Sequence, residues 1–458
     1  MILEIMLEKK MFDIGIIGSG PAGYTAAIRG AQYGLRVVLF EKEFNGGTCL
    51  NKGCIPTKAI LRSAHLFEEI KQFQKNGITV ENPRFDYSLV KQREVKTVEK
   101  IRKSLTKLIS DYGIRIVEGE AIIKNPTTIS ANGEDFECKN IIIATGSKPN
   151  KFKFNGSYKE DFLLTSDDIL NLDALPEDIT ILGSGAIGIE WARIFSSFNK
   201  KVRVIELTQN LIPLADSEVS ERVERIFKRN KIEFFTGTTI EKIENNLVTL
   251  TNGVSFETEK ILLAVGRSIS LPQTENFNIE SEKFVKVDSN FETSQKGIFA
   301  IGDVNGVSML AHSASNQAVQ VVEYIKNSAT CSFNPLLVPS VIYGTPEIAW
   351  AGKREKDLEN TNYKKSFFLM AGLGKAQADD NIEGFIKLLS VDDKIVGAHI
   401  IGGEASALLQ EVLILMTLGA SVQDAAKIIY SHPTYSEGVL EALEGLEGKS
   451  INSPKAKE

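Results

Sequence analysis

Short apolar runs that end in glycine recur along this chain. Phe12-Asp-Ile-Gly-Ile-Ile17 reads as a buried strand that runs into Gly18-Ser-Gly20-Pro-Ala-Gly23, and a helical stretch follows from Tyr24 to Tyr33. A further strand, Arg36 to Phe40, delivers Glu41. The pattern returns as Ile179-Thr-Ile-Leu182, Gly183-Ser-Gly185-Ala-Ile-Gly188, a helical stretch from Ile189 to Phe198, a strand from Lys201 to Ile205, and Glu206. Gly18 and Glu41 are 23 positions apart, and so are Gly183 and Glu206. One strand–helix–strand unit is therefore present twice. Each copy has a distal apolar strand that again closes on glycine: Ile141 to Ala144 before Thr145-Gly146-Ser147, and Ile261 to Ala264 before Val265-Gly266-Arg267. A third such strand, Gly297 to Ile301, ends at Gly302-Asp303.

From about Asn334 the pattern changes. Pro335, Pro339 and Pro346 punctuate an extended segment, strands are predicted at Gly384 to Val391 and Lys394 to Ile401, and a helix at Ala405 to Leu418. No glycine fingerprint occurs here, so this third region is expected to bind no cofactor and to form a subunit interface. The polar tail from Lys449 to Glu458 is expected to fray, and the leader from Met1 to Lys10 to be dispensable or a start-site artefact.

A lone Gly-x-Gly-x-x-Gly is weak. Here each copy lies between a strand and a helix, with an acid at the end of the next strand, the context of a dinucleotide fold. The first glycine allows the tight turn, the second lets backbone approach a pyrophosphate, and the third lets helix pack on strand. Phosphates then meet the unpaired N–H groups of a helix start. Glu41 and Glu206 would each accept from a ribose diol. The predicted fold is α/β, with two Rossmann-like dinucleotide-binding domains and a C-terminal α+β dimerisation domain. At roughly 150 residues per domain, 458 residues agree with about three.

Composition adds exclusions. The chain has 53 basic and 59 acidic residues, a net charge of −6, which argues against a nucleic-acid grip or a polybasic membrane patch. No apolar run approaches the roughly 18 residues of a membrane span. Four cysteines in so long a chain make no secreted disulfide framework and point to a cytoplasmic setting. Cys138 and Cys331 are scattered and read as small core residues.

Cys49 and Cys54 are different, for they lie close together in Gly46-Gly-Thr-Cys49-Leu-Asn-Lys-Gly-Cys54-Ile-Pro-Thr-Lys58. Zinc would need further local Cys or His pairs, yet His65, His312, His399 and His432 are dispersed. A redox disulfide fits better, because a helix start would stabilise a thiolate. A static disulfide or two buried thiols are the alternatives.

This segment resembles the active-site signature of the pyridine nucleotide-disulfide oxidoreductases. Its Cys-Leu-Asn-x-Gly-Cys-Ile-Pro-Thr-Lys form is similar to the dihydrolipoamide dehydrogenase branch. The resemblance runs from Phe12 to about Gly445, through both fingerprints, Gly302-Asp303, Met309-Leu-Ala-His312, Pro339-Ser-Val-Ile-Tyr343 and His432-Pro-Thr-Tyr-Ser-Glu437.

The resemblance implies FAD at Gly18, Gly20, Gly23 and Glu41, with Ala121, Thr145, Gly146 and Ser147 as further contacts. Lys58 would lie beside the flavin and pair with Glu190. Asp303 would face the ribitol, and Met309, Leu310, Ala311 and His312 the pyrimidine end. Gly183, Gly185, Gly188, Glu206, Ile240 and Gly266 would bind the second cofactor. That cofactor would be NAD, since a carboxylate repels a 2′-phosphate and Leu207 to Ile212 supplies no basic residue. His432 and Glu437 would be the acid–base unit that serves Cys49 and Cys54 across a homodimer interface, with the His432–Pro433 peptide cis. Where the family often has another His, two residues before His432, this chain has Tyr430. The implied domains are FAD at 11–150 and 272–334, NAD at 151–271, and the interface at 335–448. The implied activity is oxidation of dihydrolipoamide by NAD⁺. Its protein partner would be a lipoylated acyltransferase or the lipoyl carrier of glycine cleavage, since no lipoyl domain is expected on this chain. Rivals are a glutathione-, trypanothione- or mercuric-reductase-like enzyme, and a non-catalytic flavoprotein.

Overall fold

In the computed structural model, which describes residues 11–275 and 277–453, the first apolar run forms strand β1 (Phe12–Ile17). It lies between two parallel neighbours, β2 (Val37–Glu41) and β3 (Glu134–Ile143), with Ile14 opposite both Val37 and Asn140. A strand paired on both edges and covered on both faces is apolar where it is buried, which is why the run does not alternate from Ile14 to Ile17. The second copy repeats this: β4 (Asp178–Leu182) lies between β5 (Lys201–Glu206) and β6 (Lys260–Leu263), all parallel. After completing that second, five-stranded sheet, the chain returns to the first. There β7 (Ile298–Ala300) pairs with β3, with Ile298 opposite Ile141, in a sheet of eight strands. Ser147–Pro149 and Arg267–Ile269 pair antiparallel, so the outgoing and returning chain segments run side by side.

Helix α1 (Pro21–Gln32) connects β1 to β2. The short α2 (Gly47–Lys52), then α3 (Cys54–Ile70) and the 25-residue α4 (Tyr87–Asp111) follow β2. In the second copy α5 (Ala186–Ser197) connects β4 to β5, and α6 (Ser217–Arg229) follows. After β7 comes α7 (Ala311–Asn327), packed on α1, while α3 packs on α5. Trp191, Phe195 and Phe198 are buried in the core that joins these helices to the second sheet.

Both fingerprint helices start three residues earlier than the sequence pattern predicts, at Pro21 and Ala186. The third glycine of each fingerprint therefore belongs to the first helical turn, not to the loop. A Cβ on Gly23 would stand 1.7 Å from the Gly18 carbonyl oxygen, and one on Gly188 would stand 2.0 Å from that of Gly183. Gly18 and Gly183 themselves have φ of +99° and +105°, where a side chain would be strained.

The C-terminal region is an antiparallel sheet of β8 (Ser340–Ile342), β9 (Glu347–Gly352), β10 (Lys364–Leu369), β11 (Phe385–Val391) and β12 (Lys394–Gly402). Their order is β8-β9-β12-β11-β10. Helix α8 (Ala405–Leu418) packs Leu408, Leu409, Val412 and Leu413 inward, with α9 (Glu437–Leu446) in the same core. It also leaves Ile414 and Leu418 exposed, as is Ile429 nearby. A helix apolar on more than one face is built to be covered on more than one face. Among the described residues no helix is long and apolar enough to cross a membrane.

The expected fraying of the tail does not extend to residues 450–452. The Ser450 hydroxyl and the Asn452 N–H donate to Glu441, which ties this stretch to α9. Residues 454–458 and the leader 1–10 lie outside the described residues.

Candidate active site

One cleft of about 1600 Å³ is lined by residues of both sheet-bearing units. It is lined by Gly18, Gly20, Glu41, Cys49, Cys54, Lys58, Ala121, Thr145, Gly146, Ser147, Gly185, Glu190, Gly266, Asp303, Met309, Leu310, Ala311 and His312. Gly23, Gly183 and Gly188 stand behind it as packing residues. Glu206 and Ile240 are buried in the second unit, and His432 and Glu437 are elsewhere.

The cleft has the features of a dinucleotide cradle. Helices α1, α5 and α7 have Gly20, Gly185 and Leu310 as N-caps with no side-chain cap bond, so the free N–H groups of their first turns remain available to an anion. A Cβ on Gly146 or Gly185 would meet nothing within 4 Å, so backbone lies open to a ligand at both. The Thr145 hydroxyl oxygen is buried without a hydrogen-bond partner. These groups fit FAD in the first unit and a nicotinamide dinucleotide in the second.

The two acids are held alike. Ser19 donates its N–H (2.8 Å) and its hydroxyl (2.7 Å) to Glu41 Oε2, and the Glu43 N–H (2.9 Å) reaches Oε1. Ser184 does the same for Glu206 Oε2 (2.9 and 2.7 Å), and the Thr208 N–H (2.9 Å) reaches Oε1. Burial pushes the Glu206 carboxyl up, but these donors outweigh it and hold the group below its ordinary value, as the anion. Both fingerprints read Gly-Ser-Gly, so the serine was visible in the sequence. Its task was not, because the acid lies 22 residues away.

Cys49 lies within α2, and Cys54 is the first residue of α3, with Gly53 as its N-cap. Both are present as free thiols. The neighbouring Cys49 thiol and the Lys58 charge bring Cys54 down to about 7 against desolvation and the Glu190 carboxylate. The neighbouring Cys54, together with burial, pushes Cys49 well above the ordinary thiol range. The two thiols are thus driven apart, Cys54 towards the thiolate and Cys49 towards the protonated thiol.

In the reduced protein, alkylation of Cys54 should accordingly rise as pH passes about 7, not the ordinary ~8.5. Lys58→Met should move that rise to higher pH. Iodoacetamide labelling followed by peptide mass spectrometry reads both, and an unmoved profile would dismiss the influence of Lys58.

Lys58 donates to both carboxylate oxygens of Glu190, each at 2.8 Å, bridging α3 and α5 at the centre of the cleft. Glu190 is nearly buried, and its Oε1 also accepts from the Tyr343 N–H (3.1 Å). The Lys58 ammonium is 4.8 Å from the centre of the Tyr343 ring. Tyr343 thus belongs to this cluster, a role its place in a proline-punctuated segment did not announce. Arg267 is a second such residue: it donates to the Ser147 hydroxyl and carbonyl (2.8 Å each), and that hydroxyl donates to Asp303 (2.5 Å). The His312 Nε2 is 2.8 Å from the Pro339 carbonyl oxygen, and burial lowers its pKa, so the neutral ring donates there at the start of α7.

His432 and Glu437 form a pair on the C-terminal region. The imidazole Nδ1 is 2.8 Å from Glu437 Oε1, and Oε2 accepts from the Thr434 N–H at 2.9 Å. Burial pushes Glu437 up, but the bonds from His432 and Thr434 hold it below its ordinary value. An ionised Glu437 can only accept, so Nδ1 carries the hydrogen, which in the neutral ring leaves the lone pair on Nε2. The His432 side chain is 75% exposed, and within one chain it is not part of the wall around Cys49 and Cys54. The His432–Pro433 peptide is cis, and Tyr430 packs against the C-terminal core.

The chain belongs to the pyridine nucleotide-disulphide oxidoreductase family. The model of that family matches residues 12–318, and its dimerisation domain matches residues 338–443. The chain is 33% identical over 473 residues to the dihydrolipoyl dehydrogenase of Bacillus subtilis, covering 96% of this chain and 99% of that one. It is 32% identical over 469 residues to the mitochondrial dihydrolipoyl dehydrogenase of Dictyostelium discoideum, covering 96% and 95%. The crystal structure of LpdA from Mycobacterium tuberculosis has the same fold, with a TM-score of 0.86 at 22% identity, over 94% of this chain and 98% of that one.

Proposed function

We propose that this protein is a flavin- and disulfide-dependent oxidoreductase that reoxidises protein-bound dihydrolipoamide with NAD⁺. The observation that carries the reading is the thiol pair of Cys49 in α2 and Cys54 at the start of α3, set in one cleft with two uncapped fingerprint helices and the Lys58–Glu190 bridge. On this reading residues 11–150 and 272–334 bind FAD, 151–271 bind NAD, and 335–448 form the interface of a homodimer. The lipoyl group would arrive on a lipoylated acyltransferase or on the lipoyl carrier of a glycine-cleavage system. A cytoplasmic setting rests on the sparse, scattered cysteines.

His432 Nε2 takes the proton of one substrate thiol, and Glu437 stabilises the imidazolium that results. The substrate thiolate attacks Cys49 of the oxidised pair, which breaks the Cys49–Cys54 bond and leaves a thiolate on Cys54 beside Lys58. The second substrate thiol then displaces Cys49, which leaves protonated, and the lipoyl ring closes as a disulfide. The substrate has lost two electrons and the cysteine pair has gained them. FAD, when bound, supplies the path by which that pair reaches NAD⁺ as hydride. Glu190 holds the Lys58 charge in place during this transfer, and Glu206 fixes the nucleotide ribose.

Turnover of free dihydrolipoamide with NAD⁺ tests the reading directly. Reduction of glutathione disulfide or mercuric ion at a comparable rate, without that turnover, would replace it with a relative of the same architecture. Nucleotide choice tests the Glu206 assignment: kcat/KM should favour NADH over NADPH by at least about tenfold, equivalent to ~1.4 kcal/mol. Equal use of the two would remove it.

A further inference from the structure

Lys387, on β11 of the C-terminal sheet, is only 1% exposed and is surrounded by three carboxylates. Its ammonium donates to Asp216 Oδ2 (2.9 Å), to Glu218 Oε2 (2.8 Å) and to Glu355. Tyr363 and Lys365 donate to the same Glu355, whose carboxyl is held down at about 2. His399, fully buried, lies 3.7 Å from Asp216 Oδ2. A buried lysine left without these partners would be expensive, and so would the carboxylates without it, so the cluster fixes what it joins.

It joins the C-terminal sheet to the loop that follows Glu206. Asp216 is the N-cap of α6 and the last residue before it. The preceding residues 207–215 lead straight from the ribose acid. Within them the Ile212 N–H donates to the Ser184 hydroxyl (3.1 Å), and that hydroxyl donates to Glu206 (2.7 Å). Ile212 does this at φ +51°, a strained conformation for a β-branched residue, which persists only where the surroundings over-determine it. Leu211, Ile212 and Ala215 hold the middle of the loop in the core of the second unit, while towards the C-terminal sheet a cavity of about 400 Å³ opens between Asn210, Pro213 and Ala215 and the opposing Glu355, Glu359 and Tyr363, so on that side the carboxylate cluster is what anchors it.

We propose that Lys387 is a positioning residue for nicotinamide-nucleotide binding, which acts by anchoring Asp216 and thereby the strained loop that sets Ser184 and Glu206. The inference rests on the reading that Glu206 takes the NAD ribose. It makes a residue of the dimerisation domain, remote in sequence from both fingerprints, part of what determines affinity for the second cofactor.

The test uses the flavin-loaded, oxidised dimer. Calorimetric titration with NAD⁺ measures binding, and the rate at which dihydrolipoamide reduces the enzyme without NAD⁺ measures the other half-reaction. Lys387→Met should weaken NAD⁺ binding by about tenfold while the dihydrolipoamide half-reaction stays within about twofold, and Lys387→Arg should recover part of the loss. Asp216→Asn, which keeps a capping oxygen but loses the charge, should show the same split at about threefold and serves if Lys387→Met does not fold. Glu383→Gln provides the control. It breaks the ion pairs of Arg222 and Arg229 at the same seam, away from the loop, and should leave NAD⁺ binding unchanged.

Wild-type affinity for NAD⁺ in folded Lys387→Met or Asp216→Asn would overturn the inference. So would an equal loss in both half-reactions, or an equal effect of Glu383→Gln. A wild-type protein that does not prefer NADH over NADPH would instead overturn the reading of Glu206, so the two failures can be told apart.

Discussion

Subunits carrying Cys49→Ser and subunits carrying His432→Ala should each be inactive alone and regain turnover when mixed and allowed to exchange. Loss of the general base alone should cost about 10²–10⁴-fold, and loss of the exchange sulfur should abolish lipoamide chemistry. The reason for complementation is geometric. His432 is exposed on the C-terminal region and does not wall the cleft that holds Cys49 within its own chain. Helix α8 leaves Ile414 and Leu418 bare, and Ile429 is 96% exposed, in the region matched by the family's dimerisation domain. If two-fold symmetry brings His432 of one subunit to Cys49 of the other, a heterodimer has one composite site with both lesions and one with neither. Up to about half of wild-type activity per heterodimer should then return. Verified exchange without recovery would mean that each site is built from one chain.

The second large effect separates the two sulfurs. Both Cys49→Ser and Cys54→Ser should abolish oxidation of dihydrolipoamide by NAD⁺, yet their spectra should differ. A thiolate beside the flavin gives the two-electron-reduced protein a long-wavelength absorbance, and Cys54 is the sulfur lowered to about 7 at the start of α3. Cys49→Ser leaves Cys54 and the Lys58 charge in place, so it should keep the band. Cys54→Ser should lose it. The reverse pattern would exchange the two roles.

Much of this was legible because periodicity and spacing are local. Both copies of the strand–glycine–helix unit, the strands at 385–391 and 394–402, and helix 405–418 fall where the apolar pattern places them. The helix starts were misplaced because Gly23 and Gly188 look like loop residues, and only the close approach to Gly18 and Gly183 explains why a helix contains them. The pairing of Lys58 with Glu190 and of His432 with Glu437 followed from family resemblance, and the distances agree. Ser19 and Ser184 as clamps on the acids, Tyr343 beside Lys58, and Lys387 among three carboxylates were not legible. Each depends on a partner many positions away, and nothing in a lysine inside an apolar strand says which acids will surround it.

The return of the chain to its first sheet bears on how the molecule is made. β3 has Ile141 opposite Ile298, and everything between them must be synthesised before β7 can pair. Loop-closure entropy grows only slowly with length, so the finished fold tolerates the detour. Folding speed is less forgiving, because contacts between distant residues form late. While synthesis proceeds, the second sheet has all its strands from residues 163 to 263 and can fold first as a unit, whereas the first keeps an unpaired, apolar edge at Ile141–Ile143 of β3. The older part of the nascent chain is therefore the last to close. That edge is where aggregation during expression, or assistance by a chaperone, would act.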